Sequence, residues 1–243
     1  MRESERAEVE CLRSLFSVAS PAGALREAGG AIAVRVDGIP GRELNRVVGL
    51  YDLTDLDELI QVYDDRPYWV SLDPEAGLDD ALMARGYVRD SAWQKFERGP
   101  QAVEARTDLQ IAEARDPRDV ATVLRATWGL QPEEATWLSG LADHPEWHCF
   151  VAYSGDEPVA GGMLYASGSA GWLGVASTHV DHRGRGAQSA LLAARIERAR
   201  ELGLDLLVTE TGAPEDDETG TSYRNILRAG FEPAYIRPNY VPA

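Results

Sequence analysis

The chain has 243 residues, 44% of them hydrophobic, a formal net charge of −16 and two cysteines. That apolar fraction supports packed cores and excludes a largely disordered chain, and no apolar run approaches the ~20 residues of a membrane span. The acidity argues against nucleic acid or anionic membranes as partners and tilts the expectation towards a basic or amine ligand.

The start, M-R-E-S-E-R-A-E, lacks the apolar core of a secretory signal, so the expected setting is cytoplasmic. Cys11 and Cys149 stand far apart without metal-ligand spacing, and no metal site is expected. Cys149, inside W-H-C-F-V-A-Y, reads as a small buried hydrophobe. The length suits two domains, and G-P-Q-A-V-E-A (99–105) is a plausible boundary.

In the first half, N-R-V-V-G-L reads as a strand, L-T-D-L-D-E-L-I-Q-V-Y as a helix and P-Y-W-V-S-L as a second strand. L-D-D-A-L-M-A-R-G-Y then reads as a helix ending at Gly86-Tyr87, and W-Q-K-F-E-R as a closing strand. In the second half, Leu109 to Glu113 is a short strand, and Asp116 precedes a helical run, A-T-V-L-R-A-T-W. Pro132 to Leu141 reads as another helix with Pro near its first turn. Trp147–Tyr153 and Val159–Tyr165 form a hairpin about S-G-D-E-P, and Trp172 to Ser177 follows as a third strand. A long Ala/Leu-rich helix stops at Gly203. Asp205 to Glu210 reads as a buried strand, Tyr223 to Ala229 as a helix with Ser222 as its N-cap, and Phe231 to about Tyr240 as the last strand.

Between the third strand and the long helix lies T-H-V-D-H-R-G-R-G-A-Q-S. Gly184 and Gly186 let backbone N–H groups approach a ligand, and the helix N-terminus adds unpaired amides and partial positive charge. Arg183 and Arg185 add full charges. The combination is a phosphate or pyrophosphate site. His179 and His182 flank it without metal spacing and read as solvated loop residues.

Arg183, Gly184, Arg185, Gly186 and Ala187 resemble motif A of the GNAT family of N-acetyltransferases, with Gln188 where the family usually has Gly or Ala and Val180 where many members have Pro. The segment S-Y-R-N-I-L-R-A-G-F also resembles the family's late helix ending in Gly-Phe. The resemblance implies an α/β fold with a central mixed sheet flanked by helices. It also implies an acetyl-CoA site in which Arg183, Gly184, Arg185, Gly186, Ala187, Gln188 and Ser189 hold the pyrophosphate. Backbone groups at Ser177, Thr178 and Val180 would hold the pantetheine arm and thioester, and Asn225 would contact the arm. The implied reaction is direct attack of an amine on the thioester, which needs the amine's proton removed. Glu210, ending the second central strand, is the candidate base. Tyr223 is the candidate acid, since the family's usual Tyr position is Ile226.

The strand–helix–strand–helix–strand order of the first half repeats the later part of the second, with R-G-Y matching A-G-F. Where the anion loop would fall stands Tyr51-Asp52-Leu53-Thr54-Asp55, whose carboxylates would repel a pyrophosphate. The expected organisation is a degenerate copy without cofactor over residues 1–105 and a working acyltransferase domain over 106–243, a tandem arrangement. The first copy would shape the acceptor pocket or an oligomer contact, which leaves room for a homodimer. The acceptor is expected to be a small-molecule amine. Trp128, Trp137 and Trp147 fall where the family places its acceptor wall, and the acidic run Glu215 to Glu218 could meet a cation. A non-catalytic acyl-CoA-binding regulator is the alternative function.

Overall fold

The computed structural model describes residues 1–19, 22–37, 41–128, 138–214 and 219–243. Most of the helix expected over 132–141, together with Trp137 and the acidic run 215–218, lies outside these residues, as does the side chain of Trp128.

An amphipathic helix, α1 (Glu3–Ala19), opens the chain, with Glu3 and Glu5 in its first turn complementing the positive end of the helix dipole. A hairpin, β1 (Gly23–Ala28) and β2 (Ala31–Val36), leads to β3 (Arg46–Val48), α2 (Leu56–Leu59), β4 (Trp69–Ser71), α3 (Asp79–Ala84) and β5 (Tyr87–Arg98). The second half contributes β6 (Gln110–Glu113), α4 (Pro117–Trp128), β7 (Trp147–Ser154), β8 (Glu157–Ser167), β9 (Ala170–Thr178), α5 (Ala187–Glu201), β10 (Leu206–Gly212), α6 (Thr221–Arg228) and β11 (Glu232–Pro242). The expected elements outside the masked residues are present. The sequence reading missed α1 and the β1–β2 hairpin. Ser222 is not an N-cap: that position is Gly220, and Ser222 lies inside the first turn of α6.

All eleven strands form one mixed sheet in the order β1-β2-β3-β4-β11-β5-β10-β9-β8-β7-β6. The last strand of each half is exchanged. β5 pairs with β10 of the second half, and β11 pairs with β4 of the first. β5 and β11 then join antiparallel, with Trp93 opposite Arg237. Each exchanged strand follows a helix closed by a glycine in the left-handed region, Gly86 (φ +86°) and Gly230 (φ +80°), where a Cβ would be strained. Counting from those glycines, Lys95 corresponds to Asn239. Their cross-strand partners, Glu210 and Ser71, therefore occupy equivalent places in the two halves.

One face of the second-half sheet buries Leu173, Leu192, Ile196, Leu207 and Phe231 around α5 and α6. The other buries Leu124, Trp147, Trp172 and Val208 around α4. Helix α1 lies on this second face and ties the halves together. Its Cys11 and Leu15 pack on the second-half core, whereas Val9 and Leu12 pack on Ile32, Val34 and Val48. Burying each leucine contributes roughly 1.5–3 kcal/mol. Between these two apolar edges α1 turns Glu5 and Glu8 inward, over the joint.

Candidate active site at a strand fork

β9 and β10 run parallel and pair only from Ala170 to Leu173 against Leu206 to Thr209. Beyond that point β9 follows β8 and β10 follows β5, so the sheet forks. The hydroxyl of Thr209 donates to the Leu173 carbonyl (2.7 Å) at the crotch. On the β8 side, Gly162 faces both Val175 and Ala176, a bulge in β9. Val175 there adopts φ +49°, which for a β-branched residue stores about 1–3 kcal/mol of strain. The backbone of 174–178 therefore lacks a neighbouring strand on the side facing β10.

The turn from Val180 to Gly186 crosses the mouth of this fork and ends at α5. Gly184 (φ +78°) and Gly186 (φ +79°) both take left-handed backbone, for different reasons. A Cβ on Gly186 would meet the Arg106 carbonyl oxygen at 2.3 Å, whereas one on Gly184 would meet nothing within 4 Å. Gly186 thus admits the linker behind the turn, and Gly184 keeps the front open. The first backbone bond at this helix end runs from Ala190 N–H to the Gly186 carbonyl (3.0 Å). Among the described residues, the amides of 184–189, including Ala187, Gln188 and Ser189, have no intramolecular acceptor. They present the donors and dipole that an anion requires.

The side chains expected here differ in how far they are already engaged. Arg183 is exposed and has no ion-pair partner among the described residues. Arg185 is already engaged: Asp108 takes its Nε (3.1 Å) and Nη2 (2.5 Å), and His182 Nδ1 accepts from its Nη1 (2.9 Å). Its charge is therefore largely satisfied, in contrast to the free charge expected from sequence, and the Asp108 carboxyl is held below its ordinary value by that bond. Gln188 donates to the Thr178 hydroxyl (2.8 Å), clamping the helix to the end of β9. The Ser177 hydroxyl donates to that of Thr127 on α4. Val180 is 62% exposed, and His179 Nδ1 accepts from the Asp181 amide (3.4 Å). No metal-binding group of His, Cys, Asp and Glu occurs among the described residues. Cys149 is buried, as expected, and burial pushes its thiol up to about 12.

Glu210 does not face the fork as a free base. Its carboxylate accepts from Arg46 (3.0 Å), Lys95 (3.0 Å) and Arg237 (2.8 Å), and its side chain is 7% exposed. Glu8 of α1 accepts from the same three cations, and Glu5 pairs with Arg237 (3.3 Å). Three carboxylates and three cations thus form one buried cluster, contributed by α1, β3, β5, β10 and β11. Burial and the adjacent Glu8 push the Glu210 carboxyl up, but Lys95, Arg237 and Arg46 prevail and hold it below the usual range. Lys95 is the chain's single lysine, and it is fully buried. The equivalent place in the first half holds an uncharged bond, Ser71 to Asn239 (2.6 Å).

Tyr223 is half-buried, its ring edge-on to Phe96 with centroids 4.9 Å apart, and its hydroxyl makes no hydrogen bond among the described residues. Asn225 accepts from Arg228 (3.1 Å) on the same helix. In the first half, the loop where a second anion site would fall is closed on itself: the Asp52 carboxylate accepts from the Thr54 amide (2.9 Å), which lowers the Asp52 carboxyl.

Sequence reasoning missed Arg195. This α5 residue is 1% exposed and has no carboxylate partner among the described residues. It donates instead to the carbonyls of Leu191 (3.0 Å), Met163 (3.2 Å) and Gly174 (3.4 Å). Gly162 makes room for it, since a Cβ there would lie 2.9 Å from the guanidinium carbon. The signal in sequence was an Arg on the apolar face of α5 together with the Gly161-Gly162 pair.

A mixed sheet forked between parallel strands, with an open amide turn leading into a helix at its mouth, defines an acyl-CoA N-acyltransferase fold. Residues 110–219, within the second half, match the family model described as the Acetyltransferase (GNAT) family. Among solved structures, the whole chain resembles a GCN5-related N-acetyltransferase from Kribbella flavida (TM-score 0.66, 17% identity, covering 100% of this chain and 96% of that one). It also resembles a tandem GNAT protein from the clavulanic acid biosynthesis pathway (TM-score 0.61, 16% identity, 94% and 87% covered). A third likeness is to a GNAT-family acetyltransferase from Colwellia psychrerythraea (TM-score 0.57, 14% identity, 99% and 97% covered). At these identities the likeness is one of fold. No curated protein sequence matches the chain. Among the described residues, no helix is long and apolar enough to cross a membrane.

Proposed function

We propose that the second half is an acetyl-CoA-dependent N-acetyltransferase acting on a small-molecule amine in a ternary complex. The observation that carries this reading is the open fork with unpaired amides at 184–189 across its mouth. The amides and Arg183 would hold the pyrophosphate, and the free edge of 174–178 would hold the pantetheine arm and the thioester carbonyl. Attack by the neutral amine on the carbonyl carbon forms the new C–N bond. Collapse of the adduct breaks the C–S bond and releases CoA as a thiolate. Tyr223, whose hydroxyl is uncommitted, is the proposed donor to that thiolate.

Glu210 is assigned a different role from the one its sequence position suggested. A carboxylate held by three cations resists protonation, so it anchors the end of β10, and the amine's proton passes to water. The second reading, an acyl-CoA-binding regulator without turnover, draws its support from this same locking of Glu210. We assign no cofactor to the first half, because Asp52 occupies its own loop amide. Both cysteines are free and buried, in keeping with a cytoplasmic setting.

Calorimetric titration of acetyl-CoA into the wild type and Gly184→Asp tests the site. Gly184 is the better probe than Gly186: both take left-handed backbone that strains any side chain, but at Gly186 a side chain also strikes the Arg106 backbone. One binding event per chain, weakened at least roughly 100-fold by the substitution through loss of anion–amide complementarity, supports the reading. No binding to the wild type removes it, and two events per chain remove the assignment of the first half. Turnover with mixed amines then separates enzyme from regulator.

A further inference from the structure

Arg195 is a buried cation whose partners are all backbone carbonyls, an arrangement that carries a desolvation cost without a counter-ion. Burial pushes its guanidinium down to about 10, so it is still charged at neutral pH. A side chain that only filled space there would be apolar, as its neighbours Leu192 and Ile196 are. The location explains the exception, because Met163 and Gly174 face each other across the β8–β9 ladder beside the bulge.

The geometry of one peptide unit carries the argument. The Leu173 carbonyl points towards β10, where Thr209 donates to it. The next carbonyl, that of Gly174, points the other way and accepts from Arg195 (3.4 Å). In a planar trans peptide the N–H lies opposite the carbonyl, so the Val175 N–H is directed into the fork. A cation at the oxygen end of that unit draws electron density from the nitrogen and makes its N–H a stronger donor. The positive φ of Val175 keeps the unit turned.

We propose that Arg195 is a positioning residue that polarises and orients the Gly174–Val175 peptide, so that the Val175 N–H meets the thioester oxygen of acetyl-CoA as charge builds on it. This rests on the acetyl-CoA reading given above. Preorganised donors of this kind act on the transition state more than on the ground state. Gly162 belongs to the same device, since any side chain there displaces the guanidinium.

The test is infrared difference spectroscopy of acetyl-CoA labelled with carbon-13 at its carbonyl, bound to the wild type, Arg195→Met, Arg195→Lys and Gly162→Ala. The wild type should move the carbonyl stretch to lower wavenumber than in water. Arg195→Met and Gly162→Ala should lose most of that displacement, and Arg195→Lys should recover part of it, while CoA itself binds all four within about threefold, since its pyrophosphate contacts are untouched. With an accepted amine, kcat should fall roughly 10- to 100-fold with KM for acetyl-CoA little changed. Should Arg195→Met fail to fold, Arg195→Lys and Gly162→Ala carry the comparison. A folded Arg195→Met or Gly162→Ala with the wild-type carbonyl frequency and kcat overturns the proposal. A wild type that binds no acetyl-CoA instead overturns the reading beneath it, and this proposal with it.

Discussion

Replacing Lys95 by Met removes one of three cations from a buried cluster that otherwise balances three carboxylates. Methionine matches the length of the lysine stem, so the change leaves no large cavity and isolates the electrostatic effect. Glu8 and Glu210 each lose a bond, of 2.6 Å and 3.0 Å, and remain buried with excess negative charge. Removing one partner of a buried ion pair costs about 3–5 kcal/mol. At about 2–4 °C per kcal/mol for a chain of this size, Tm should fall by about 6–20 °C. Urea unfolding followed by tryptophan fluorescence gives the free energy directly. The double variant Lys95→Met with Glu210→Gln restores balance and should be at least about 1 kcal/mol more stable than the two single losses summed. Because the cluster takes Glu8, Arg46 and Lys95 from one half and Glu210 and Arg237 from the other, the two halves should unfold in one transition. A loss under about 1 kcal/mol, or an additive cycle, would refute the reasoning.

Glu8 is held well below its ordinary 4.5 and Glu210 below it, both mainly by cations overcoming burial, so their stabilisation is present above about pH 4.5 and is lost as pH falls towards their folded values. Thermal melts between about pH 3 and 7 should show Tm dropping on the acid side, less steeply in Glu8→Gln, and an unchanged slope in that variant would contradict the assignment. Asp108→Asn releases Arg185 towards the anion turn at little cost to stability, because Asp108 is largely exposed. Acetyl-CoA should bind about three- to tenfold more tightly, with a steeper dependence on salt, and weaker binding would show that the Asp108 contact shapes the turn productively.

How much could be read from the chain depends on whether the determining contacts are local. The turn at 183–187 was legible because two glycines and a following helix specify its geometry within a few residues. The hairpin of β7 and β8 was legible for the same reason. Helix α1 was not, because Glu5 and Glu8 stand on its buried side and interrupt the apolar stripe that would have announced it. The engagement of Glu210 was not legible because its partners, residues 8, 46, 95 and 237, are remote in sequence, and a strand-end carboxylate looks alike with or without three cations around it. Gln188 departs from the motif, and its partner Thr178, ten residues away on the end of β9, could not be read from the motif itself. The strand exchange left no trace at all, since β5 and β11 carry the same alternation whichever sheet they enter.

That exchange bears on how the chain can be divided. Residues 99–109 look like a convenient place to trim it to a minimal catalytic unit, yet β5 would be discarded with the first half, and β10 would present a bare edge beside the fork. An uncapped edge of this kind recruits other strands, including those of neighbouring molecules. The half with the closed-off loop is therefore a permanent chaperone to the half with the open one, donating a strand that the latter's own chain places elsewhere.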